Sequence, residues 1–283
     1  MDLPPPSGHI QAIGYDDAGR KQYLYHDAWR EHRDRRKFRQ MEEFAAALPT
    51  VRERIDADLA RRGLVRERVL SCAVRLLDLG FFRIGSERYA AENETYGLAT
   101  LNKRQLRIER GVAVFAYHAK GSNPLVQVVA DRKLLPTLKA LKSRRGGGGE
   151  LFAYRNARTW RDVRSDDINE HLKDLARHDF SAKDFRTWNA TVLAAVALAK
   201  YEPRGLSRTG RRRAINEAVK NVAGYLANTP SVCRSAYIDP RVIDRFDSSE
   251  TIRPALDREI AGADPGEFAD RERIEAAVLD LIR

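Results

Sequence analysis

The sequence predicts an α+β fold, mainly helical, with a small three-stranded antiparallel sheet in its middle and a β-hairpin ahead of the helices. Three observations predict it. Residues 106–129 alternate as strands do: Val112, Val114, Ala116 and His118 interleave with Ala113, Phe115, Tyr117 and Ala119. Other stretches repeat apolar residues at helical spacing, as in Leu70, Val74, Leu77 and Phe81. Residues 9–13 and 21–25 read as two strands flanking a turn over Asp16 to Gly19.

The elements follow in order. Residues 1–7 are proline-rich and carry no structural signal. The hairpin after them is marginal by itself and requires packing partners. Arg30, His32, Arg33, Arg35, Arg36 and Lys37 form a basic run, read as a solvated helix face or a linker. Phe38, Met41, Phe44 and Ala45 predict a helix ending near Leu48-Pro49, with a second charged helix over 51–64. A third helix spans 65–80. Arg83 then sits between apolar flanks, so it is either paired to Glu87 or Glu92 or awaits an anionic ligand. The turn Lys120-Gly121-Ser122-Asn123-Pro124 puts Lys120 at a hairpin tip, a position where a lysine ordinarily faces solvent. Residues 131–142 and 165–177 read as helices. The four glycines at 146–149 form a loop without a following Gly-Lys-Ser/Thr, and no nucleotide cradle is visible.

Ser181 and Asp184 read as a capping box opening a helix through Leu198, with Trp188, Val192 and Val196 inward. Lys183 and Arg186 fall on one face of its first turns, near free N–H groups that suit a phosphate. Residues 208–226 form a helix that Asn228 ends, and Thr229 caps the next with Pro230 at its first position. That break matters, since unbroken helix would hold Asn228 and Tyr237 about 13.5 Å apart at ~1.5 Å per residue. The tail from 247 to 283 reads as helical packing.

Composition bounds the chemistry. With 283 residues and 43% hydrophobic content, the chain supports a packed core. A net charge of +11 and a pI near 9.8 point to a polyanionic partner, with binding that weakens steeply in salt. Cys72 and Cys233 make no CxxC pair, which excludes a cysteine-based zinc site. His171 and His178 read as surface residues rather than ligands. No apolar run approaches a membrane span, so a cytoplasmic protein that takes no metal and meets no membrane is expected.

Tyr237 is the candidate nucleophile, aimed at a phosphate that Arg83, Lys120 and Arg186 surround. A free tyrosine has a pKa near 10 and attacks poorly at neutral pH; clustered arginines favour its anion. Such a cluster repels itself when empty, so the site is expected to be loose without its ligand.

These pieces resemble the small type IB DNA topoisomerases of poxviruses and bacteria. The motifs are Gly8-His9-Ile10-Gln11-Ala12, Gly19-Arg20-Lys21-Gln22-Tyr23, Phe82-Arg83-Ile84-Gly85, Ala119-Lys120-Gly121, Lys183-Asp184-Phe185-Arg186-Thr187, and Asn228-Thr229-Pro230 through Ala236-Tyr237. The resemblance implies that Tyr237 forms a 3′-phosphotyrosyl link in duplex DNA, a covalent protein–DNA intermediate that a 5′-hydroxyl later resolves, relaxing supercoils without ATP or metal. It implies that Arg83 and Arg186 neutralise the nonbridging oxygens, that Lys120 is the general acid, and that Lys183 supports the site. Asn228 stands where many relatives carry histidine and would donate one hydrogen bond. Gln22, Tyr23 and Tyr25 would contact DNA. Further strands ahead of the Gly8 hairpin are implied, so residues 1–33 are expected to be the remnant of a clamping β domain and 34–283 the catalytic domain. A monomer clamped around the duplex, nucleoid-associated in a bacterial cell, is expected. The alternatives are a tyrosine recombinase, which usually has His-x-x-Arg where this chain has Lys183-x-x-Arg186, and a noncatalytic DNA-binding remnant.

Overall fold

The alternation around Gly19 folds into an antiparallel pair, β1 (Ile10–Tyr15) and β2 (Lys21–Tyr25), with Ile13 opposite Tyr23 and a register shift between Ile10 and Ala12. Gly19 takes a φ of 71°, which suits it to the turn. The computed structural model describes residues 8–15, 19, 21–80, 82–85, 87, 95–119, 123–262 and 271–283. The chain groups into two compact units, Met1–Glu43 and Phe44–Arg283.

Helix α1 (Asp27–Leu59) corrects the expected break at Pro49: it runs straight through it. Proline removes one backbone donor and crowds the carbonyl four residues earlier. Here Leu48, Val51 and Ile55 are buried on both sides of it, and packing sustains a helix that local preference would end. The basic run of residues 30–37 is helical. The hairpin's partner within the first unit is aromatic: Tyr25 stacks on Trp29 at 4.8 Å and on Tyr23 at 6.1 Å, and the Arg33 guanidinium lies 5.0 Å from the Trp29 ring.

The second unit is built around α2 (Arg66–Leu79), with nine buried residues including Leu70, Val74 and Leu77. Strands β3 (Leu106–Glu109), β4 (Val112–Ala119) and β5 (Asn123–Val129) form the predicted antiparallel sheet in sequence order. Its inner face carries Ala113, Phe115 and Tyr117, against which Phe82 packs edge-on at 5.1 Å to Phe115. A short pair, β6 (Ala153–Asn156) and β7 (Thr159–Asp162), was not anticipated. Its four-residue strands are mostly exposed and polar, so no apolar alternation marks them.

The rest is helical: α3 (Leu135–Ser143), α4 (Ser165–Ala176), α5 (Ala182–Leu198), α6 (Arg208–Leu226), α7 (Pro230–Ala236), α8 (Pro240–Asp247), α9 (Arg253–Gly262) and α10 (Arg271–Ile282). α5 is the central helix. Phe185, Trp188, Ala190, Thr191, Ala194 and Leu198 are all buried, whereas the expected inward Val192 and Val196 are only half-buried. A helix buried nearly all round has no single apolar stripe to read. Asp184 accepts from the Ser181 N–H at 2.7 Å, as the capping pattern predicted.

His171 is a second correction. It is buried in α4, its Nε2 2.8 Å from Ser71 Oγ, which donates to Asp58 at 2.8 Å. A histidine this far inside persists because both polar partners are buried with it. Burial pulls its pKa below the ordinary histidine range, Arg66 adds to this, and Asp58, Glu67 and Asp174 oppose it. The folded state therefore disfavours the proton. Stability from this group is complete above the unfolded histidine pKa and declines as pH falls below it. We expect the urea midpoint to drop between about pH 7 and about pH 5, and His171→Gln to flatten that part of the curve. An identical pH profile in the variant would remove His171 as the cause.

Candidate active site

The site forms where α6 ends. Ala227 takes a left-handed conformation (φ 49°) and its N–H donates to Gly224 O at 3.2 Å, while the Asn228 N–H donates to Ala223 O at 3.1 Å. This double closure turns the chain sharply and leaves the carbonyls of Leu226 and Ala227 open to other donors. Two arginines take them. Arg83 Nη2 donates to Ala227 O at 2.8 Å and to Asn228 Oδ1 at 2.7 Å. Arg186 Nη2 donates to Leu226 O at 3.0 Å. The negative end of the helix dipole offsets part of the repulsion between them.

Thr229 Oγ1 then accepts from the Val232 N–H at 3.3 Å and starts α7, which carries Tyr237 as its last cap residue. The Arg186 guanidinium lies 5.2 Å from the centre of the Tyr237 ring. Thr191 Oγ1 donates to Thr187 O at 2.9 Å and accepts the Asp239 N–H at 3.1 Å, pinning the chain beyond the tyrosine to α5. Arg83, Arg186, Asn228 and Tyr237, from three separated segments, are therefore brought together.

Burial lowers the Arg186 pKa and the like charge of Arg83 adds to this, while the charge and hydrogen bond of Tyr237 oppose it. Only 4% of Arg186 is exposed, so this cation is held largely out of water. Cys233 also lies under this cluster, where burial pushes its thiol up to about 11 against the pull of Arg186. It stays protonated near neutral pH. The Asn228 Nδ2 group is buried and has no acceptor among the described residues.

Arg83 owes its place to two glycines. The carbonyls of Arg83 and Ile84 accept from Leu98 and Ala99, each at 2.8 Å. A Cβ on Gly97 would come within 2.3 Å of Gly85 Cα, and Gly85 itself has a φ of 87°. Only glycine at both positions allows this approach. The pairing of Arg83 to Glu87 is not what forms: Glu87 accepts from the Ser165 N–H at 2.8 Å. Glu92 and Lys120 lie outside the described residues; β4 and β5 pair up to Ala119 and Asn123, on either side of residues 120–122.

Lys183 and Arg186 both lie in the first turns of α5, Lys183 exposed and Arg186 buried. In the first unit, Gln22 and Tyr23 are exposed and Tyr25 is half-buried in the aromatic stack. The sequence reading missed Gly97, Thr191 and Tyr117. Burial raises the Tyr117 pKa, opposed by Arg83 and Arg186, and its hydroxyl donates to Gln127 at 3.2 Å. A polar threonine inside an apolar helix was the available sign for Thr191; Gly97 had none. Among the described residues, no helix is long and apolar enough to cross a membrane, and no group of three or more His, Cys, Asp or Glu is placed to hold a metal ion.

Residues 26–256 match the family model described as eukaryotic DNA topoisomerase I, catalytic core. The chain is 28% identical over 243 residues to the DNA topoisomerase 1B of Acanthamoeba polyphaga mimivirus, covering 82% of this chain and 71% of the viral one. It is 20% identical over 234 residues to the DNA topoisomerase I of monkeypox virus and to the DNA topoisomerase 1B of vaccinia virus (strain Copenhagen), with the same coverage of 82% and 71%.

Proposed function

We propose, from the premise that this chain belongs to the DNA topoisomerase I family and is an enzyme of type IB, that it relaxes supercoiled duplex DNA through a tyrosyl intermediate. The Tyr237 oxygen attacks a backbone phosphorus, the P–O5′ bond breaks, and a 3′-phosphotyrosyl ester forms beside a free 5′-hydroxyl. Lys120 supplies the proton to the departing 5′-oxygen. The strand turns about its partner, the 5′-hydroxyl attacks the phosphotyrosine, and the original linkage and the phenol return. One ester is exchanged for another at each step, so no ATP is consumed.

The single observation that carries this reading is the convergence of Arg83, Arg186, Asn228 and Tyr237 at the carbonyl end of α6. Two guanidiniums can hold the nonbridging oxygens as charge builds on phosphorus, which is the way positioned cations lower such barriers. The buried Asn228 amide offers a further donor to the same oxygens. The positive charge needed is supplied by side chains rather than by a bound ion. The exposed Gln22 and Tyr23 and the stacked Tyr25 belong, in this reading, to a hairpin that meets the duplex as a monomer closes on it. Residues 1–33 would contribute the clamp and 34–283 the chemistry, with Lys183 lending its exposed charge beside the phosphate.

The test is a supercoiled plasmid incubated with the full chain in EDTA without nucleotide. Stepwise relaxation, with a protein–DNA adduct trapped by detergent at a 3′-phosphate, is expected. A requirement for two paired specific sites would move the reading to a recombinase, and binding without any adduct would move it to a noncatalytic module.

A further inference from the structure

Away from that cluster, four arginines line one open cavity of about 670 Å³. Arg208, Arg211 and Arg212 come from the first turns of α6, Arg234 comes from α7, and Ile215 and Asp247 complete the lining. Arg211 has a structural task. Its Nη1 donates to the carbonyls of Phe246, at 3.3 Å, and of Asp247, and its Nη2 donates to Ser249 Oγ at 2.9 Å, which caps the end of α8. Arg208, Arg212 and Arg234 have no such task. All three are exposed, and no ion pair or side-chain hydrogen bond holds any of them among the described residues. One carboxylate, Asp247, faces four guanidiniums across the cavity.

Like charges gathered from two helices repel one another, and the arginines of α6 also sit at the end of that helix where cations are disfavoured. Packing does not explain them, because their side chains are exposed. An anion would. The geometry points to a binding site for a phosphate-bearing anion, gripped between α6 and α7 by Arg208, Arg212 and Arg234. The guanidinium fork matches phosphate oxygens in pairs, and three forks from two directions enclose a tetrahedral group. A DNA backbone diester and a free oligophosphate share this chemistry. Arg234 lies three residues before Tyr237, one turn away on the same short helix. An anion joining it to α6 would brace the segment that carries the tyrosine; this consequence alone rests on the reading of Tyr237.

The experiment titrates the full chain with tripolyphosphate at low ionic strength, by calorimetry. We expect saturable binding of one anion per chain, and a weakening of about tenfold or more in Arg234→Gln and in the Arg208→Gln/Arg212→Gln double variant. Amide exchange over residues 230–237 should slow when the anion is bound. These side chains are exposed, so folding is not at risk. No saturable heat, or equal affinity in both variants, overturns the site. Neither readout involves cutting DNA, so its failure and the failure of the tyrosyl mechanism are separate results. A short duplex then identifies the source. If it excludes tripolyphosphate, and the double variant lowers the salt slope of duplex binding by about two, the occupant is DNA backbone. Undiminished uptake in its presence assigns the site to a free oligophosphate.

Discussion

Tyr237→Phe is expected to abolish the covalent adduct and to cut plasmid relaxation by on the order of 10⁴-fold or more, as removal of a nucleophile does in other enzymes. The substitution deletes one oxygen and little else. The aromatic ring keeps its place 5.2 Å from the Arg186 guanidinium, because a cation is drawn to the face of phenylalanine as well. The backbone bond from Tyr237 N–H to Cys233 O at 3.0 Å does not involve the side chain. Duplex affinity depends mainly on phosphate contacts spread over a larger surface, so it should change by less than about tenfold, the worth of one hydrogen bond. Nor can a neighbour replace the phenol: the Cys233 thiol is pushed up to about 11 by burial and carries almost no thiolate near neutral pH. Detergent-trapped adduct on labelled duplex is the measurement. Adduct formation by the phenylalanine variant at a normal rate would remove Tyr237 from the mechanism.

Asp78→Asn is expected to cost about 3–5 kcal/mol of stability, the range found when one partner of a buried ion pair is removed. Asp78 is 2% exposed and lies at the hub of a charged network. Arg52 grips it with two bonds, Nε to Oδ2 at 3.0 Å and Nη2 to Oδ1 at 2.9 Å; Arg271 donates to Oδ1 at 2.9 Å and Arg75 approaches Oδ2 at 3.7 Å. Glu275 and Asp131 balance the remaining charge of Arg52 and Arg75. Without Asp78, the largely buried Arg52 keeps Glu275 and the exposed Glu272, Arg75 keeps Asp131, and the positive charge of the cluster is no longer balanced at its buried centre. For a chain of this size the thermal midpoint should fall by about 6–20 °C. Acid should act on the same group. Burial alone would raise the Asp78 carboxyl, but Arg271, Arg52 and Arg75 outweigh it and hold the group below the ordinary carboxylate range. Its contribution is complete above the unfolded pKa and is lost as pH falls toward the folded one, so the asparagine variant should lack that part of the acid transition. A midpoint within about 2 °C of the parent would show the network to be dispensable. The loss should also reach α5, because Arg271, which the Asp78 carboxylate holds, donates to Asn189 Oδ1 at 3.0 Å one turn beyond Arg186.

Much of the fold was legible because short-range sterics write it into neighbouring residues. The alternation of Val112 to Ala119 could be nothing but a strand with one inner face, and Thr229-Pro230 could hardly do other than stop one helix and start another. The hairpin and the sheet followed from the same local rules. What was misread lay where distant partners overrule such rules. Pro49 should end a helix, yet Leu48, Val51 and Ile55 are buried on either side of it. His171 looked like a surface residue until Ser71 and Asp58, each from another helix, enclosed it.

The candidate site divides along the same line. By itself the sequence determined which groups the protein carries: a tyrosine one short helix beyond a capped break, an arginine set among apolar neighbours, and a net charge of +11. It could not say which of its many arginines are taken out of water. Only the tertiary structure decided that Arg83 and Arg186 dock on the last carbonyls of α6, that Gly97 must admit Gly85, and that Lys183 stays outside. The physical reason is that caps and periodicity are set by residues within a turn of one another, whereas the burial of these two charges depends on partners 40 to 145 positions away.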